Sequence, residues 1–166
     1  MECISSDTNV WIDYNLIGQL DIPFRLDAEY LMFKDTIDFE LLKPDDLKGK
    51  LIELGLHKVE ITLEELLLAD SYGSKYPPLT KYDRIALSIA KCRDITLLTG
   101  DNAMRKAAVK ENVNVMGTIG LLDRLYSEGR LSKDEYRKCL ESFRMQNGGK
   151  IRLPGDEIEK RLKRLS

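Results

Sequence analysis

Short apolar runs alternate with amphipathic stretches along most of the chain, a pattern that predicts a parallel β-sheet covered by helices. A first strand is predicted at residues 2–6, after which apolar side chains recur at helical intervals. A second strand candidate spans residues 57–62 and precedes a helix that begins with a capping-box spacing. Residues 82–118 predict a helix, the buried strand ITLLT, another helix and a short edge strand. Four strands are therefore expected.

Two parts of the chain depart from this alternation. Around Pro23 and Pro44 the pattern is interrupted, and only a short helix near the tetrapeptide FELL can be proposed there. After Thr118 the pattern predicts helices alone. We therefore expect the sheet domain to occupy residues 1–128 and a helical C-terminal extension, residues 129–166, to pack on the same domain.

The charge of the chain is balanced in total but uneven in distribution. The 166 residues include 26 Lys and Arg and 28 Asp and Glu, for a formal net charge of −2, which excludes a histone-like binder and an acidic solvating tail. Residues 124–166 hold twelve basic and seven acidic residues, whereas residues 1–123 hold fourteen and twenty-one. The acidic residues are thus concentrated in the first three quarters of the chain.

Several classes of protein are disfavoured by what the sequence lacks. No apolar run approaches the roughly 18 residues needed to cross a bilayer, and no export signal is recognisable, so we expect a cytoplasmic protein with no membrane partner. Cys3, Cys92 and Cys139 have no C-x-x-C spacing, which argues against a disulfide framework or a zinc ribbon and favours buried, reduced thiols. His57 is the only histidine, so a zinc site or catalytic triad built on histidine is disfavoured.

Acidic residues follow two of the predicted strands. Asp7 comes directly after the first strand, and Asp101 follows ITLLT after Gly100. Ligands of open parallel sheets bind at the carboxyl edge of the strands, so both acids are expected there. Asp83 opens a helix that could begin at either edge, and Glu40 lies on a helix of the interrupted segment. Each acid alone could equally cap a helix or face solvent.

Three segments around these acids resemble the motifs of the PIN domain family of nucleases. They are SDTNVWID, YDRIALSIAK and LLTGDNAMRKAA, and they occur in the family's order and at comparable separations. GTIGLLDRLYSEGRLS is similar to the helical continuation found in one bacterial and archaeal branch, so the resemblance covers residues 3–160. It implies a PIN-like three-layer α/β/α fold with a mainly parallel central sheet, in which residues 1–128 form the catalytic domain.

The resemblance also implies a site for Mg²⁺ or Mn²⁺. Asp7, Asp83 and Asp101 match the family's acidic positions, and Glu40 takes the remaining one, although Asp38 is a competing candidate. In this hypothesis Asp7 and Asp101 bind the metal directly, while Glu40 and Asp83 complete the shell or orient water. Hard divalent ions prefer carboxylate and water oxygens, which agrees with an acidic site that lacks histidine and cysteine.

The activity implied by the resemblance is that of a metal-dependent endoribonuclease, a hydrolase of phosphodiester bonds in single-stranded or structured RNA. Small prokaryotic relatives further imply the toxin of a type II toxin-antitoxin pair, with a small antitoxin protein as partner and a homodimeric state. An RNA-processing enzyme fits the same motifs. The candidate hydrogen-bonding or phosphate-contacting residues are Thr8, Asn9, Thr99, Asn102 and Arg105.

Two other functions compete with this one. A PIN-like module could keep the fold for binding and lack turnover, although a candidate at all four acidic positions argues against that. TGDN has a faint likeness to phosphatases of the haloacid dehalogenase type. Those enzymes need a second Asp two residues after the nucleophile, where this chain has Asn9.

Overall fold

Five parallel strands form the centre of the computed structural model, which describes residues 1–166. The strand order across the sheet is β3-β2-β1-β4-β5. In the central pairs, Ile4 lies opposite both Tyr30 and Thr96. The strands are β1 (Glu2–Ser6), β2 (Ala28–Phe33), β3 (His57–Val59), β4 (Thr96–Leu98) and β5 (Val115–Met116).

Nine α-helices surround this sheet, together with a 3₁₀ helix at Ile22–Arg25. Three of them begin with capping boxes: the predicted one at Thr62, and two more at Thr80 and Ser132. The helices are α1 (Thr8–Leu16), α2 (Lys34–Glu40), α3 (Leu47–Leu54), α4 (Leu63–Lys75), α5 (Lys81–Arg93), α6 (Asn102–Lys110), α7 (Thr118–Ser127), α8 (Lys133–Gln146) and α9 (Gly155–Leu165).

Alternating side chains of the strands face two helical layers. Ile4, Tyr30 and Leu98 point into a core that includes buried residues of α1–α3 and α7–α9. On the opposite face, Leu97 packs against residues of α4–α6, and Ser5 donates a hydrogen bond to the carbonyl of Ala86 on α5 (2.8 Å). This period of two is what a strand covered on both faces requires. The predicted three-layer α/β/α fold is confirmed, and its sheet is parallel throughout.

The strand that the sequence did not predict is β2, and the number of strands is five instead of four. It lies between β1 and β3, and Tyr30, Leu31 and Met32 are all buried. A short apolar run that is buried on both faces shows no alternation, so its pattern does not distinguish a strand from a buried helical turn. The second predicted strand is real but ends at Val59.

The larger core is built around Trp11 of α1, which is fully buried. Its ring stacks on Phe24 (centroids 5.2 Å apart) and meets Tyr30 edge-on (4.9 Å), and its indole N–H donates to Ser6 Oγ (3.1 Å). Aromatic pairs in this geometry add to the stabilisation from burial alone. The core thereby fixes α1 against β1, and Asp7 lies between these two elements.

Helices α8 and α9 contribute to the same core as α1 and α7. Phe143 of α8 is fully buried and packs edge-on against Tyr14 of α1 (5.5 Å), and Arg161 of α9 forms an ion pair with Asp123 of α7 (2.7 Å). Both helices therefore contact the rest of the larger core. The division of the chain into a sheet domain and a C-terminal extension at residue 128 stays a prediction.

Two observations concern features that the sequence excludes. None of the helices combines the length and the apolar character that crossing a bilayer requires. All three cysteines are free thiols, but only Cys139 is buried, whereas Cys3 and Cys92 are partly exposed. The expectation of buried thiols was therefore wrong for two of the three.

Candidate active site

Asp7 occupies the junction between β1 and α1 and is only 6% exposed. Its N–H donates to the carbonyl of Leu98 (2.9 Å), which continues the pairing of β1 with β4 by one residue. Its carboxylate caps α1, because Oδ1 accepts from the Thr8 N–H (2.8 Å), and Oδ2 accepts from the Thr99 hydroxyl (2.9 Å). Both oxygens of Asp7 are therefore held by the protein.

Thr99 connects Asp7 to a second acid. Its hydroxyl donates to Asp7 and accepts from the N–H of Asp101 (3.1 Å). Asp101 in turn caps α6, where its Oδ1 accepts from the Met104 N–H (3.0 Å). The two acids that follow adjacent parallel strands are thus joined through one buried hydroxyl, at the carboxyl edge that the sequence predicts for them.

Thr8 makes a corresponding link to Glu40, the last residue of α2. Its hydroxyl donates to Glu40 Oε1 (2.9 Å), while its N–H donates to Asp7. The competing candidate Asp38 instead accepts from the ammonium groups of Lys48 (2.6 Å) and Lys58 (3.3 Å). The hydrogen bonds therefore place Glu40, and not Asp38, beside Asp7.

Asp83 lies in the first turn of α5, where its Oδ2 accepts from the Thr80 N–H (3.0 Å). Because α5 ends directly before β4 begins, its first turn lies toward the opposite end of that strand, which is the carboxyl edge. The electrostatics agree with this location, since repulsion from Asp101 contributes to a raised pKa of Asp83. The sequence left open the edge on which this residue would lie, and the topology of α5 decides it.

Burial and mutual repulsion raise the pKa of three of these acids. Burial, followed by repulsion from Asp83 and then from Glu40, raises the pKa of Asp7 to about 7. Burial and repulsion from Asp83 also raise the pKa of Glu40, and burial is the main cause of the raised pKa of Asp83. Like charges that cannot move apart favour the protonated form. The four acids from four separate segments thus belong to one electrostatic site.

Glu40, Asp83 and Asp101 each accept a protein hydrogen bond with one carboxylate oxygen only. The oxygens that accept no protein hydrogen bond are Glu40 Oε2, Asp83 Oδ1 and Asp101 Oδ2. No buried side-chain oxygen or nitrogen lacks a partner, so these three oxygens reach solvent. Accessible carboxylate oxygens on fixed side chains are donors that suit a hard divalent cation.

The geometry is nevertheless not a closed ligand cage. No three Asp, Glu, His or Cys side chains converge closely enough to hold a metal ion by themselves. Mg²⁺ commonly keeps several waters and binds through one or two carboxylates. The donor set therefore fits a hydrated divalent ion held in part through water, and it does not fit an ion coordinated by protein atoms alone.

The candidate substrate residues fall into two groups. Thr8 and Thr99 are buried, and their hydroxyls are used by the acids, which favours a positioning role over contact with phosphate. Asn9 and Asn102 are exposed in the first turns of α1 and α6, and Arg105 follows one turn later on α6 and is partly exposed. Only these three are open to a substrate.

A fifth acid, Asp13, borders the site and was not identified from the sequence. It is 8% exposed, its Oδ2 accepts from the Thr118 hydroxyl (2.8 Å), and burial raises its pKa to about 6. With Asn9 and Asp101 it lines a pocket of about 220 Å³. Asp13 follows Asn9 by four residues, so both side chains lie on one face of α1. This spacing is the feature of the sequence from which Asp13 could have been identified.

Taken together, an all-parallel α/β/α sheet and four coupled acids at its carboxyl edge define a domain of the PIN type. The family model described as DUF3368: PIN domain matches residues 3–166, and the chain belongs to this family. PIN domains are in general nucleases that use divalent metals. No curated protein and no solved structure matches the chain significantly.

Proposed function

We propose that this protein is a Mg²⁺- or Mn²⁺-dependent endoribonuclease that hydrolyses phosphodiester bonds in RNA. The observation that carries the proposal is the pair of buried threonines at the site. Thr8 donates its N–H to the Asp7 carboxylate and its hydroxyl to Glu40. The Thr99 hydroxyl donates to the Asp7 carboxylate and accepts from the backbone N–H of Asp101. Acids on solvated helix faces, or acids that only cap helices, do not require hydrogen bonds that link one acid to another. A site that holds several carboxylates close together requires them.

Charge supplies the second support. Burial is the main cause of the raised pKa of Asp7, about 7, and repulsion from Asp83 and Glu40 adds to it. Such repulsion costs stability, and a divalent cation relieves it. When bound, Mg²⁺ or Mn²⁺ would supply a Lewis acid that polarises the scissile phosphate and lowers the pKa of an attacking water.

The roles of the acids follow from their free and occupied oxygens. Asp7 and Asp101 would hold the cation, with Asp7 fixed at both oxygens so that its remaining lone pairs have a defined direction. Glu40 and Asp83 would orient water through Glu40 Oε2 and Asp83 Oδ1. Because burial and repulsion from Asp83 raise the pKa of Glu40, its carboxylate is a stronger base than an ordinary one and is suited to accept a proton from water.

A cleavage assay tests this function. A 5′-labelled single-stranded RNA is incubated with the protein and Mg²⁺ or Mn²⁺, and the parent is compared with Asp7→Asn, Asp101→Asn and the control Asp70→Asn. Asp70 is an exposed residue of α4 without an ion pair. We expect cleavage by the parent and the control, at least about 100-fold slower cleavage by the two site variants, and none with a chelator. Equal rates for all four proteins would refute the nuclease assignment.

We further propose the toxin role that the sequence motifs suggest, with RNA in the cytoplasm as the target. Expression in a bacterium should arrest growth, and Asp101→Asn should relieve the arrest. A small antitoxin protein encoded beside it should co-purify with the protein and suppress cleavage. Normal growth on expression of an active enzyme would instead favour an RNA-processing role. The homodimeric state also stays a prediction, which size-exclusion chromatography with light scattering can check.

A further inference from the structure

A groove adjoins the acidic site on the side of the C-terminal extension. A pocket of about 730 Å³ lies between the start of α6, the turn from β5 to α7, and the segment that leads into α9. The smaller pocket at Asp101 and Asp13 shares Gly100, Arg152 and Leu153 with it. The two pockets therefore form one groove that begins beside the acids and runs along the extension.

Three cations in the wall of this groove have no partner in the protein. Arg105 and Arg152 line the larger pocket, and Lys150 and Arg152 line the smaller one. None of the three makes an ion pair or a side-chain hydrogen bond. Arg161, farther along the groove, differs because its guanidinium is bonded to Asp123 (2.7 Å) and to Glu157 (2.8 Å). Unpaired positive charge is thus confined to the part of the groove nearest the acids.

The position of Arg105 depends on a glycine. A Cβ added at Gly117 would overlap the Nη1 atom of Arg105, so the guanidinium lies directly against the backbone of that turn. Gly117 has a φ of −98°, which any residue can adopt. The glycine is therefore needed for space and not for its backbone conformation. The absence of a side chain at Gly117 leaves the room in which Arg105 lies in the wall of the groove.

We propose that Arg105, Lys150 and Arg152 bind successive phosphates of a single RNA strand and lead it to the acidic site. This inference rests on the proposed nuclease function. Unpaired Arg and Lys groups are the groups that bind nucleic-acid phosphates, and they carry no sequence information. A groove of this volume has room for about one or two nucleotides of one strand. A duplex is recognised by its shape across a wide groove and cannot enter such a pocket.

The groove also bears on substrate preference. Its lining contains no aromatic side chain on which bases could stack, and its guanidinium groups are the only planar cations available to them. Backbone contacts should therefore dominate binding, and sequence preference should be weak. The strand would reach the acids over Asp101, from the side on which Lys150 and Arg152 lie.

The test measures binding without cleavage, by fluorescence anisotropy of a labelled single-stranded RNA of mixed sequence in metal-free buffer over a range of salt. The triple variant Arg105→Ala/Lys150→Ala/Arg152→Ala is compared with the parent. The control carries Lys110→Ala, Lys138→Ala and Arg164→Ala, which remove three exposed, unpaired cations that line neither pocket.

Each phosphate contact to a single strand contributes a slope of about −0.7 to the plot of the logarithm of the association constant against the logarithm of the salt concentration. One contact therefore makes binding about fivefold tighter at 0.1 M than at 1 M salt. The triple variant should therefore lose about a hundredfold in affinity at 0.1 M salt, and its salt slope should be smaller by about two. The control triple variant should bind within about threefold of the parent. Equal losses in the two triple variants, or tighter binding of duplex than of single-stranded RNA by the parent, would overturn the proposal.

A second variant tests the groove without removing a charge. Gly117→Ala should displace Arg105 and weaken RNA binding about fivefold, the value of one contact. Gly49→Ala on α3, where an added Cβ meets nothing within 4 Å, is the matched control and should have no effect. If the parent binds RNA through these cations but never cuts it, the nuclease function is refuted and the proposed RNA-binding groove is retained. If the parent cuts RNA but the triple variant binds RNA as tightly as the parent does, only the role of the groove in RNA binding is refuted.

Discussion

Replacing Asp7 with Asn is expected to remove a pH dependence from the stability of the metal-free protein. Asp7 is 6% exposed, and burial together with repulsion from Asp83 and Glu40 raises the pKa of its carboxyl group from 3.8 to about 7. Asn preserves the packing and caps helices as well as Asp does. Asp7 accepts a hydrogen bond from the Thr99 hydroxyl, and the side-chain amide of Asn can donate one to the same hydroxyl. The substitution therefore removes the titration and little else.

The sign follows from proton binding. Between pH 4 and pH 7 the folded state holds a proton on Asp7 that the unfolded state has lost, so the free energy of unfolding falls as the pH rises. The difference between 3.8 and about 7 corresponds to about 4 kcal/mol, which is present below pH 4 and lost by about pH 8. Asn resembles the protonated form, so the variant should be more stable than the parent by up to about 4 kcal/mol at pH 8 and similar to it near pH 4.

Urea denaturation followed by circular dichroism, at intervals from pH 4.5 to pH 8.5 in chelator, measures this difference. Asp13, whose pKa is also raised, titrates in both proteins and cancels in the comparison. At pH 8 the thermal midpoint of the variant should exceed that of the parent by roughly 10 °C. Saturating Mg²⁺ should narrow the gap, because the ion stabilises the parent and not the variant.

A difference between the two proteins that does not change with pH would refute the coupled acidic site. It would mean that Asp7 is ionised without strain in the folded protein, as a simple helix cap is. The control Asp70→Asn should follow the parent at every pH, since its carboxylate is exposed. If the difference in stability at pH 8 is unchanged in saturating Mg²⁺, the repulsion among the acids is still supported. A divalent ion bound beside Asp7 is then contradicted.

Three further predictions concern the surroundings of Asp7 and the core. Thr99→Val should weaken divalent-ion binding and RNA cleavage about 10- to 100-fold, measured by calorimetry and by cleavage rate, because two acids lose their shared anchor. Glu40→Gln should slow cleavage about 10- to 100-fold, whereas Asp38→Asn should stay within about twofold, and equal losses would contradict the assignment of Glu40. Phe143→Ala should lower the free energy of unfolding by about 3–5 kcal/mol in one urea transition, and two separate transitions would show that the C-terminal extension folds independently.

Most of the sheet could be predicted from the sequence, because a buried strand between amphipathic helices has a recognisable period. The exception, β2, has three consecutive buried residues, and it lies between breakers at Pro23 and Pro44. Buried on both faces, it has the hydrophobicity of a core segment without the alternation of a strand. Its partners β1 and β3 are distant in sequence, so only tertiary structure identifies it.

The acidic site was predicted unevenly for a related reason. Asp7 and Asp101 follow strands, and the position of a strand end is enough to place them. Glu40 and Asp38 lie two residues apart on one helix, and only the Thr8 hydroxyl and the two lysines distinguish them. The groove was not visible at all, because Lys150 and Arg152 come from a part of the chain far from Asp101 in sequence. Local patterns carry no information about such encounters.

The lengths of the outermost strands have a consequence for association with other chains. At one side of the sheet β3 has three residues, and at the other β5 has two. A long free edge is a template on which another chain can add a strand, and proteins that avoid aggregation keep their edges short. An incoming strand would find only a few backbone groups to pair with at either side. Any dimer of this protein should therefore form between helices, and its sheet should resist the edge-to-edge growth that leads to fibres.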